Sequence, residues 1–155
     1  MKIAVFPGSF DPITKGHQDI VKRALPLFDQ IIIAVGTNSQ KSGLFPVDQR
    51  MKWIKKVFRG NKKIKVDTFE GLTVHYCETV KARYLVRGLR QSSDFDYEKT
   101  ISQLNNAMSD KIETVFLISR PEFSHISSTI VREIIKGDGN VTDFVPSNIT
   151  LKKIK

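Results

Sequence analysis

The sequence has only one cysteine, Cys77, in 155 residues, so an intrachain disulfide is excluded. It also lacks any apolar run near the roughly 20 residues that a membrane-spanning helix needs. Pro7, Gly8 and Asp11 interrupt the apolar stretch at the N-terminus, which excludes a signal-peptide pattern there. These absences predict a protein of a reducing cytoplasm that makes no membrane contact.

Several common site signatures are absent as well. No G-x-G-x-x-G sequence occurs, and Gln40 stands where a P-loop would need its second glycine. The three histidines and the single cysteine lack the spacing of a zinc site, and no nucleophile elbow is present. Dinucleotide-binding, P-loop, zinc and serine-hydrolase sites of these standard types are therefore excluded.

Acidic residues are few beside basic ones, 16 against 25, which leaves a formal net charge of +9. Such a balance is typical of proteins that bind nucleic acid, anionic membranes or small phosphorylated ligands. We favour a solvated helix face and loop for most of it and expect no nucleic-acid partner. The charge is concentrated at Lys52, Lys55, Lys56, Arg59, Lys62, Lys63 and Lys65, and at Lys152, Lys153 and Lys155.

Short apolar runs alternate along the chain with stretches of helical periodicity, a pattern that suits βαβ units. The runs are continuously apolar, as in a parallel sheet covered on both faces. We predict one α/β domain over residues 1–155, a Rossmann-like, doubly wound, five-stranded parallel sheet with helices on both faces. Its strands are predicted at Ile3–Phe6, Ile31–Val35, Ile64–Thr68, Tyr84–Val86 and Val115–Ile118.

The intervening stretches predict five helices and a last short helix after Pro146. Pro26 should end or kink the first helix, and Gly137 should stop the fifth. Ligands of such sheets bind beyond the carboxyl ends of the strands, so the loops there should carry the site. The helices are predicted at His17–Leu25, Val47–Phe58, Leu72–Ala82, Phe95–Met108 and Ser127–Lys136.

The first of these loops, from Phe6 to His17, reads FPGSFDPITKGH. Gly8 lets backbone approach a ligand closely, and Ser9 offers a hydroxyl and an N–H group. His17 falls in the first turn of the predicted helix, where the helix dipole favours an anion. The segment therefore predicts a phosphate site with an imidazole donor at its mouth.

A second loop places Arg87 and Arg90 on either side of Gly88 and Leu89. Two guanidinium groups at a strand end can bind phosphates bidentately. Three acidic residues follow, and they either orient the arginines or bind a ribose hydroxyl. For the first two, helix capping or solvation is the favoured interpretation. These residues are Asp94, Asp96 and Glu98.

A third loop leads through a run of hydroxyl residues, Ser127, Ser128 and Thr129, into the fifth predicted helix. A hydroxyl at a helix start can cap the helix. The same hydroxyls and free N–H groups can bind a phosphate. The residues alone leave both roles open.

Two of these loops resemble the signatures of the nucleotidylyltransferase superfamily. Thr14-Lys-Gly-His17 resembles its T/H-x-G-H motif, and Ile126-Ser-Ser-Thr-x-x-Arg132 is similar to its second motif. With Arg87-Gly-Leu-Arg90 and Asp94-Phe-Asp-Tyr-Glu98, they make the whole chain resemble the bacterial phosphopantetheine adenylyltransferase family. That family joins ATP and 4′-phosphopantetheine to give dephospho-coenzyme A and pyrophosphate.

The resemblance implies roles for individual residues. His17, Lys41 and Arg90 would be catalytic, with His17 stabilising the transition state. The acceptor 4′-phosphopantetheine would be held by Ser9, Lys41, Thr73 and Arg87. The ATP site would comprise Ser9, Phe10, His17, Gly88, Leu89, Arg90, Glu98, Phe123, Ser124, His125, Ile126, Ser127, Ser128 and Thr129.

The resemblance also implies a magnesium cofactor, carried mainly by the ATP phosphates and without protein ligands of its own. A phosphate acceptor is already anionic at neutral pH, so the reaction needs positioning and preorganised positive charge rather than a general base. The family further implies a cytoplasmic homohexamer and feedback inhibition by coenzyme A.

Two alternatives are open. Another nucleotidylyltransferase, such as a nicotinamide-mononucleotide adenylyltransferase, would share both signatures and differ in the acceptor that releases pyrophosphate from ATP. A basic nucleic-acid-binding module would bind with an affinity that falls steeply with salt and that survives loss of His17.

Overall fold

The computed structural model describes residues 1–38, 40 and 42–151. Within that part, five parallel strands form one sheet in the order β3-β2-β1-β4-β5. The predicted fold class is therefore confirmed. The strands are β1 (Ile3–Gly8), β2 (Gln30–Gly36), β3 (Ile64–Phe69), β4 (Tyr84–Leu89) and β5 (Glu113–Ile118).

The five predicted helices are present, with shifts of a few residues at their ends. Pro26 lies in a 3₁₀ turn, Leu25–Leu27, that follows the end of the first helix at Ala24, as expected for a residue without an N–H donor. The helices are α1 (Lys15–Ala24), α2 (Val47–Val57), α3 (Thr73–Thr79), α4 (Ser92–Met108) and α5 (Ser128–Lys136).

The short helix predicted after Pro146 is wrong. In the described residues this segment forms a turn, in which the N–H of Ile149 donates to the carbonyl oxygen of Pro146 at 3.2 Å. Ser147 and Asn148, which favour turns, stand between two buried residues, so the chain needs only one turn to bury both.

Alternate residues of the strands supply two hydrophobic cores, one on each face of the sheet. On one face Phe6 and Ile33 pack with Ile20 of α1, and the same core includes residues of α2 and α5. On the other face Val5 and Ile32 pack with residues of α3. Among the described helices, none is long and apolar enough to cross a membrane.

The sheet opens at one place, between β1 and β4. β1 pairs with β2 along its whole length, from Ile3 to Gly8. It pairs with β4 only at Ala4 and Val5. The two strands therefore separate toward their carboxyl ends, at the point where the chain order changes direction, which is where such sheets bind ligands.

β1 and β4 extend further than predicted. Pairing with the neighbouring strands outweighs the low strand propensity of the residues at their ends. Arg87 and Gly88, expected in a loop, are strand residues of β4 that pair with Phe116 and Leu117 of β5. Gly8 is likewise the last residue of β1. The backbone of Arg87 is thus fixed by the sheet.

Candidate active site

A cavity of about 320 Å³ lies where β1 and β4 separate. Its walls come from the loop after β1, the first turn of α1, the end of β4 and the segment leading into α5. The three sequence segments singled out above therefore meet in space. Its lining includes Gly8, Ser9, Phe10, Thr14, His17, Arg87, Gly88, Arg90, Asp94, Glu98, Phe123, Ile126, Ser127, Ser128, Thr129 and Arg132.

Side chains from other elements hold four carbonyl oxygens at the end of β1 and in the loop that follows it. The donors offset the partial negative charge of these oxygens, so a phosphate at the loop is repelled less. Backbone N–H groups are the natural ligands of such an anion. The four bonds are Arg87 Nη1 to Pro7 O (2.9 Å), Arg50 Nη1 to Ser9 O (2.7 Å), Arg132 Nη1 to Asp11 O (2.9 Å) and Ser128 Oγ to Pro12 O (2.8 Å).

A capping box at the start of α1 fixes the ring of His17. The Thr14 hydroxyl accepts a hydrogen bond from the His17 backbone N–H at 3.3 Å, and the Thr14 backbone N–H donates to His17 Nδ1 at 3.0 Å. Because Nδ1 is an acceptor, the neutral ring carries its proton on Nε2. The ring is further packed edge-on against Phe10, with 4.9 Å between the ring centroids.

The environment of His17 keeps the ring neutral. Burial lowers the pKa of His17 to about 4, and the positive charges of Arg87 and Arg90 act in the same direction. At pH 7 the free protein therefore presents an uncharged Nε2–H donor, which is suited to a phosphate oxygen and unsuited to general acid catalysis.

Arg87 is held in a fixed orientation by Glu98 of α4. Its Nε donates to Glu98 Oε2 at 3.0 Å and its Nη2 to Glu98 Oε1 at 2.5 Å. The guanidinium group has five N–H donors, of which these two bonds and the one to Pro7 use three. Arg87 thus still has donors for a ligand.

Arg90, directly after β4, is more exposed than Arg87, with 40% of its side chain accessible. Asp94 Oδ2 lies 3.4 Å from Arg90 Nε and accepts the backbone N–H groups of Arg90 and Gln91. Asp94 therefore closes the first turn of α4, as the capping interpretation predicted. The side chain of Asp96 is exposed, in agreement with its predicted solvation.

The hydroxyl residues at the start of α5 have structural partners as well as a place on the cavity wall. Ser127 Oγ accepts from the Ile130 N–H at 3.2 Å and caps the helix. Thr129 Oγ1 accepts from Arg132 Nη2 at 3.2 Å. Capping is confirmed for Ser127, while the first N–H groups of α5 lack partners within the helix and can serve an anion.

A second cavity, of about 250 Å³, lies on the other side of Arg87. Arg87, Glu98, Pro7 and Gly8 line both cavities. The rest of its wall is aromatic, aliphatic or uncharged polar. It includes Phe69, Thr73, Leu85, Tyr97, Ile101, Ser102 and Asn105.

The structure thus brings most of the predicted site residues to two adjoining cavities, with Thr73 and Arg87 on the second. Leu89, Ser124 and His125 do not line either cavity, and the ring of His125 packs against Phe144. Lys41 lies outside the described residues, so its predicted role stays a prediction.

Three charged residues of this region were missed by sequence reasoning. Arg132 lines the first cavity, and its place in the Ile126–Arg132 motif was a usable signal. Asp11, in the loop after β1, and Arg50, in α2, are both buried. Their partnership left no signal in the sequence, because they stand far apart in it and in different elements.

Comparisons with known proteins show the family to which the chain belongs. Residues 5–134 match the family profile described as cytidylyltransferase-like. A phosphopantetheine adenylyltransferase of Leptospira biflexa is 54% identical over 93% of this chain and 90% of its own. One of Cytophaga hutchinsonii is 48% identical over 96% of this chain and 99% of its own.

A solved structure from Vibrio parahaemolyticus, proposed to be a nicotinate-nucleotide adenylyltransferase, matches with a TM-score of 0.70 over 95% of this chain and 96% of its own. At 18% identity it shows the fold alone. The acceptor class is therefore indicated by the full-length relatives. The chain belongs to the phosphopantetheine adenylyltransferase family of nucleotidyltransferases.

Proposed function

We propose that this enzyme transfers the adenylyl group of ATP to 4′-phosphopantetheine in the synthesis of coenzyme A. The observation that carries the proposal, beyond family membership, is the pair of cavities that share Arg87 as a wall. The first offers arginines and two helix N-termini to a nucleotide triphosphate. The second offers a mainly uncharged surface that suits a pantetheine arm.

In the reaction, an oxygen of the 4′-phosphate attacks the α-phosphorus of ATP. A new P–O–P bond forms, the bond from the α-phosphorus to the bridging oxygen of the β-phosphate breaks, and that oxygen leaves with pyrophosphate. The nucleophile is already ionised, so no proton has to be removed first. Reversal uses the same groups with pyrophosphate as the nucleophile.

The side chains of the first cavity would act by position and charge. Arg87, on the shared wall, would orient the attacking phosphate, and Arg90 would bind the nucleotide phosphates. The Nε2–H of His17 would donate to an oxygen of the transferring phosphate, where negative charge must be spread in the transition state. Ser9, Gly88 and the first turn of α5 would complete the nucleotide site.

The site also fits magnesium that is carried by the substrate. The carboxylates of Asp94 and Glu98 are engaged by arginine and backbone donors, and no cluster of three or more His, Cys, Asp or Glu suited to a metal occurs in the part of the chain that the structure describes. Phosphate oxygens and water would therefore hold the ion. Bound in this way, it would neutralise part of the triphosphate charge.

The remaining family properties belong to the same proposal. Apolar side chains are exposed on α4 and at the end of β5, and their burial between subunits would support a homohexamer. The exposed apolar residues are Phe95, Tyr97, Leu104, Met108 and Ile118.

Coenzyme A would inhibit by occupying both cavities. The free thiol of Cys77 suits the cytoplasm.

The test is pyrophosphate release from ATP and magnesium with one acceptor at a time. We expect release with 4′-phosphopantetheine and only background with nicotinamide mononucleotide. The opposite pattern would refute the proposed acceptor while leaving the adenylyl-transfer chemistry intact. Release with neither acceptor would refute the proposed function.

A further inference from the structure

Asp11 and Arg50 are the most buried charged residues in the described part of the chain, with 4% and 6% of their surfaces exposed. Neither lines either of the two cavities. A buried ion pair is a weak source of stability, since desolvation offsets much of its attraction, and apolar residues can often replace it. Another role has to account for charges at this position.

The contacts of the pair join two separate segments. Arg50 of α2 donates from Nη1 to Ser9 O at 2.7 Å and from Nε to Phe45 O at 2.9 Å. Asp11 accepts the backbone N–H of Leu44 at 2.7 Å and that of Phe45 at 2.9 Å. The loop after β1 is therefore tied to residues 44–45, just before α2.

Phe10 lies between Ser9 and Asp11, the two loop residues that make these hydrogen bonds, and its φ is +46°. A bulky residue in this left-handed region is strained and persists only when its surroundings impose the conformation. Arg50 holds the carbonyl on one side of Phe10, and Asp11 is anchored on the other. The pair is thus placed to impose that conformation.

The conformation of Phe10 has a direct consequence for His17. The buried Phe10 ring, 2% exposed, lies edge-on to the His17 ring with 4.9 Å between centroids and edge-on to the Phe6 ring at 5.4 Å. If Phe10 relaxed to a negative φ, its ring would leave this packing. Ser9, the neighbour of Phe10, would turn relative to the cavity at the same time.

Gly43 gives an independent indication that the geometry of the pair is closely constrained. A Cβ at this position would lie 2.6 Å from Asp11 Oδ2 and 3.1 Å from Arg50 Nη2. The backbone at residue 43 therefore lies directly against the pair, and a side chain there requires the carboxylate or the backbone of residue 43 to shift.

We propose that Asp11 and Arg50 are positioning residues that hold Phe10 in its left-handed conformation and thereby set His17 and Ser9 for adenylyl transfer. This inference rests on the proposed function for its kinetic consequence, although the geometry itself can be tested without turnover. Neither residue lines a cavity that we assign to a substrate.

Two variants test the proposal by different routes. Arg50→Lys keeps the charge but loses the planar guanidinium group that donates to two carbonyl oxygens. Gly43→Ala keeps both ionised groups but places a methyl group against the Asp11 carboxylate. We expect kcat to fall at least tenfold in each, with the KM for ATP changed less than threefold. The matched control is Ile54→Val, also in α2 and fully buried, which should lower the unfolding temperature without changing kcat.

The second readout is the NMR spectrum of the His17 ring, whose carbon-bound protons carry a ring-current shift from Phe10. These resonances should move in Arg50→Lys and Gly43→Ala and stay in place in Ile54→Val. Normal kcat together with unmoved His17 resonances in either folded variant would overturn the proposal. If wild-type protein released no pyrophosphate, the proposed function would fail, while the resonances would still decide the positioning role.

Discussion

Glu98 holds Arg87 at the boundary between the two cavities through two hydrogen bonds, of 3.0 and 2.5 Å. The side chain of Glu98 is 11% exposed, and that of Arg87 is 32% exposed. This partly desolvated, bidentate arrangement is a strong form of the arginine–carboxylate pair. The orientation of Arg87 therefore depends on a residue of a different element.

Glu98→Gln should weaken use of 4′-phosphopantetheine. An amide replaces one acceptor oxygen by a donor that faces the guanidinium group, so Arg87 loses its fixed orientation. We expect the KM for the acceptor to rise about tenfold, equivalent to about 1.4 kcal/mol, with a smaller change for ATP. Initial rates with each substrate varied in turn measure this.

The control for that change is Glu133→Gln, on the exposed surface of α5, where the carboxylate pairs with Lys136 at 3.7 Å. It should leave both KM values unchanged. A rise confined to the KM for ATP in Glu98→Gln would contradict this role. It would instead support a place for Glu98 in the ATP site, as the family resemblance implied.

His17→Ala should lower kcat by about 10² to 10³, the usual cost of removing one donor to a developing oxyanion. The fold should persist, because Thr14 can still cap α1 through its hydroxyl. Steady-state kinetics and circular dichroism check the two parts. Near-normal turnover in a folded variant would remove His17 from the catalytic role.

The stability of the protein should fall as the pH is lowered from about 6.5 to about 4. The pKa of His17 is lowered to about 4 in the folded state, from 6.5. Over that range the unfolded chain binds a proton that the folded protein does not, so acid favours unfolding, by at most on the order of 3 kcal/mol from this group. Urea titrations at several pH values measure the effect.

The matched variant for that experiment is His17→Gln, which cannot titrate. Its stability should depend less steeply on pH between 4 and 6.5 than that of the wild type. Equal slopes for the two proteins would show that the ring of His17 is solvated rather than buried.

Arg90→Ala should raise the dissociation constant for ATP about tenfold or more, since a charged hydrogen-bond donor to phosphate is lost. Arg120→Ala serves as the control, because Arg120 is 56% exposed, pairs with Asp19 and does not line the first cavity. Calorimetric titration with ATP compares them. Equal affinities in the two variants would refute the assignment of Arg90.

Ser127→Ala separates capping from phosphate binding at α5. Loss of the cap should cost about 1 kcal/mol, a fall of roughly 2–4 °C in the unfolding temperature for a domain of this size. If the hydroxyl only caps the helix, kcat should stay within about threefold of the wild type. An unchanged unfolding temperature with a large loss of activity would assign the hydroxyl to the substrate instead.

Sequence reasoning located the elements and the loops that carry the site, because hydrophobic periodicity and turn residues are local signals. It failed where partners are distant. Arg87 was expected in a loop, and only its pairing with Phe116 places it in a strand. The hydrogen bond between Arg50 and Ser9 joins α2 to the loop after β1, and no local sequence pattern in either segment predicts it.

The ring state of His17 shows the same limit. Its position in the first turn of α1 was readable from the motif. Its neutral form was not, because the pKa is set by burial and by two arginines that reach it from β4 and the segment after it. At Ser127, likewise, the capping hydrogen bond from the Ile130 N–H is visible only in the structure, and the phosphate-binding role stays a prediction.

The segment near the end of the described chain has a consequence for synthesis on the ribosome. Val141, Val145 and Ile149 are buried in the same core as Ile20 of α1, and the N–H of Lys15, the first residue of α1, donates to Phe144 O. The helix that carries His17 is therefore completed by residues translated more than a hundred positions later. A nascent chain acquires its catalytic geometry only after this segment has emerged.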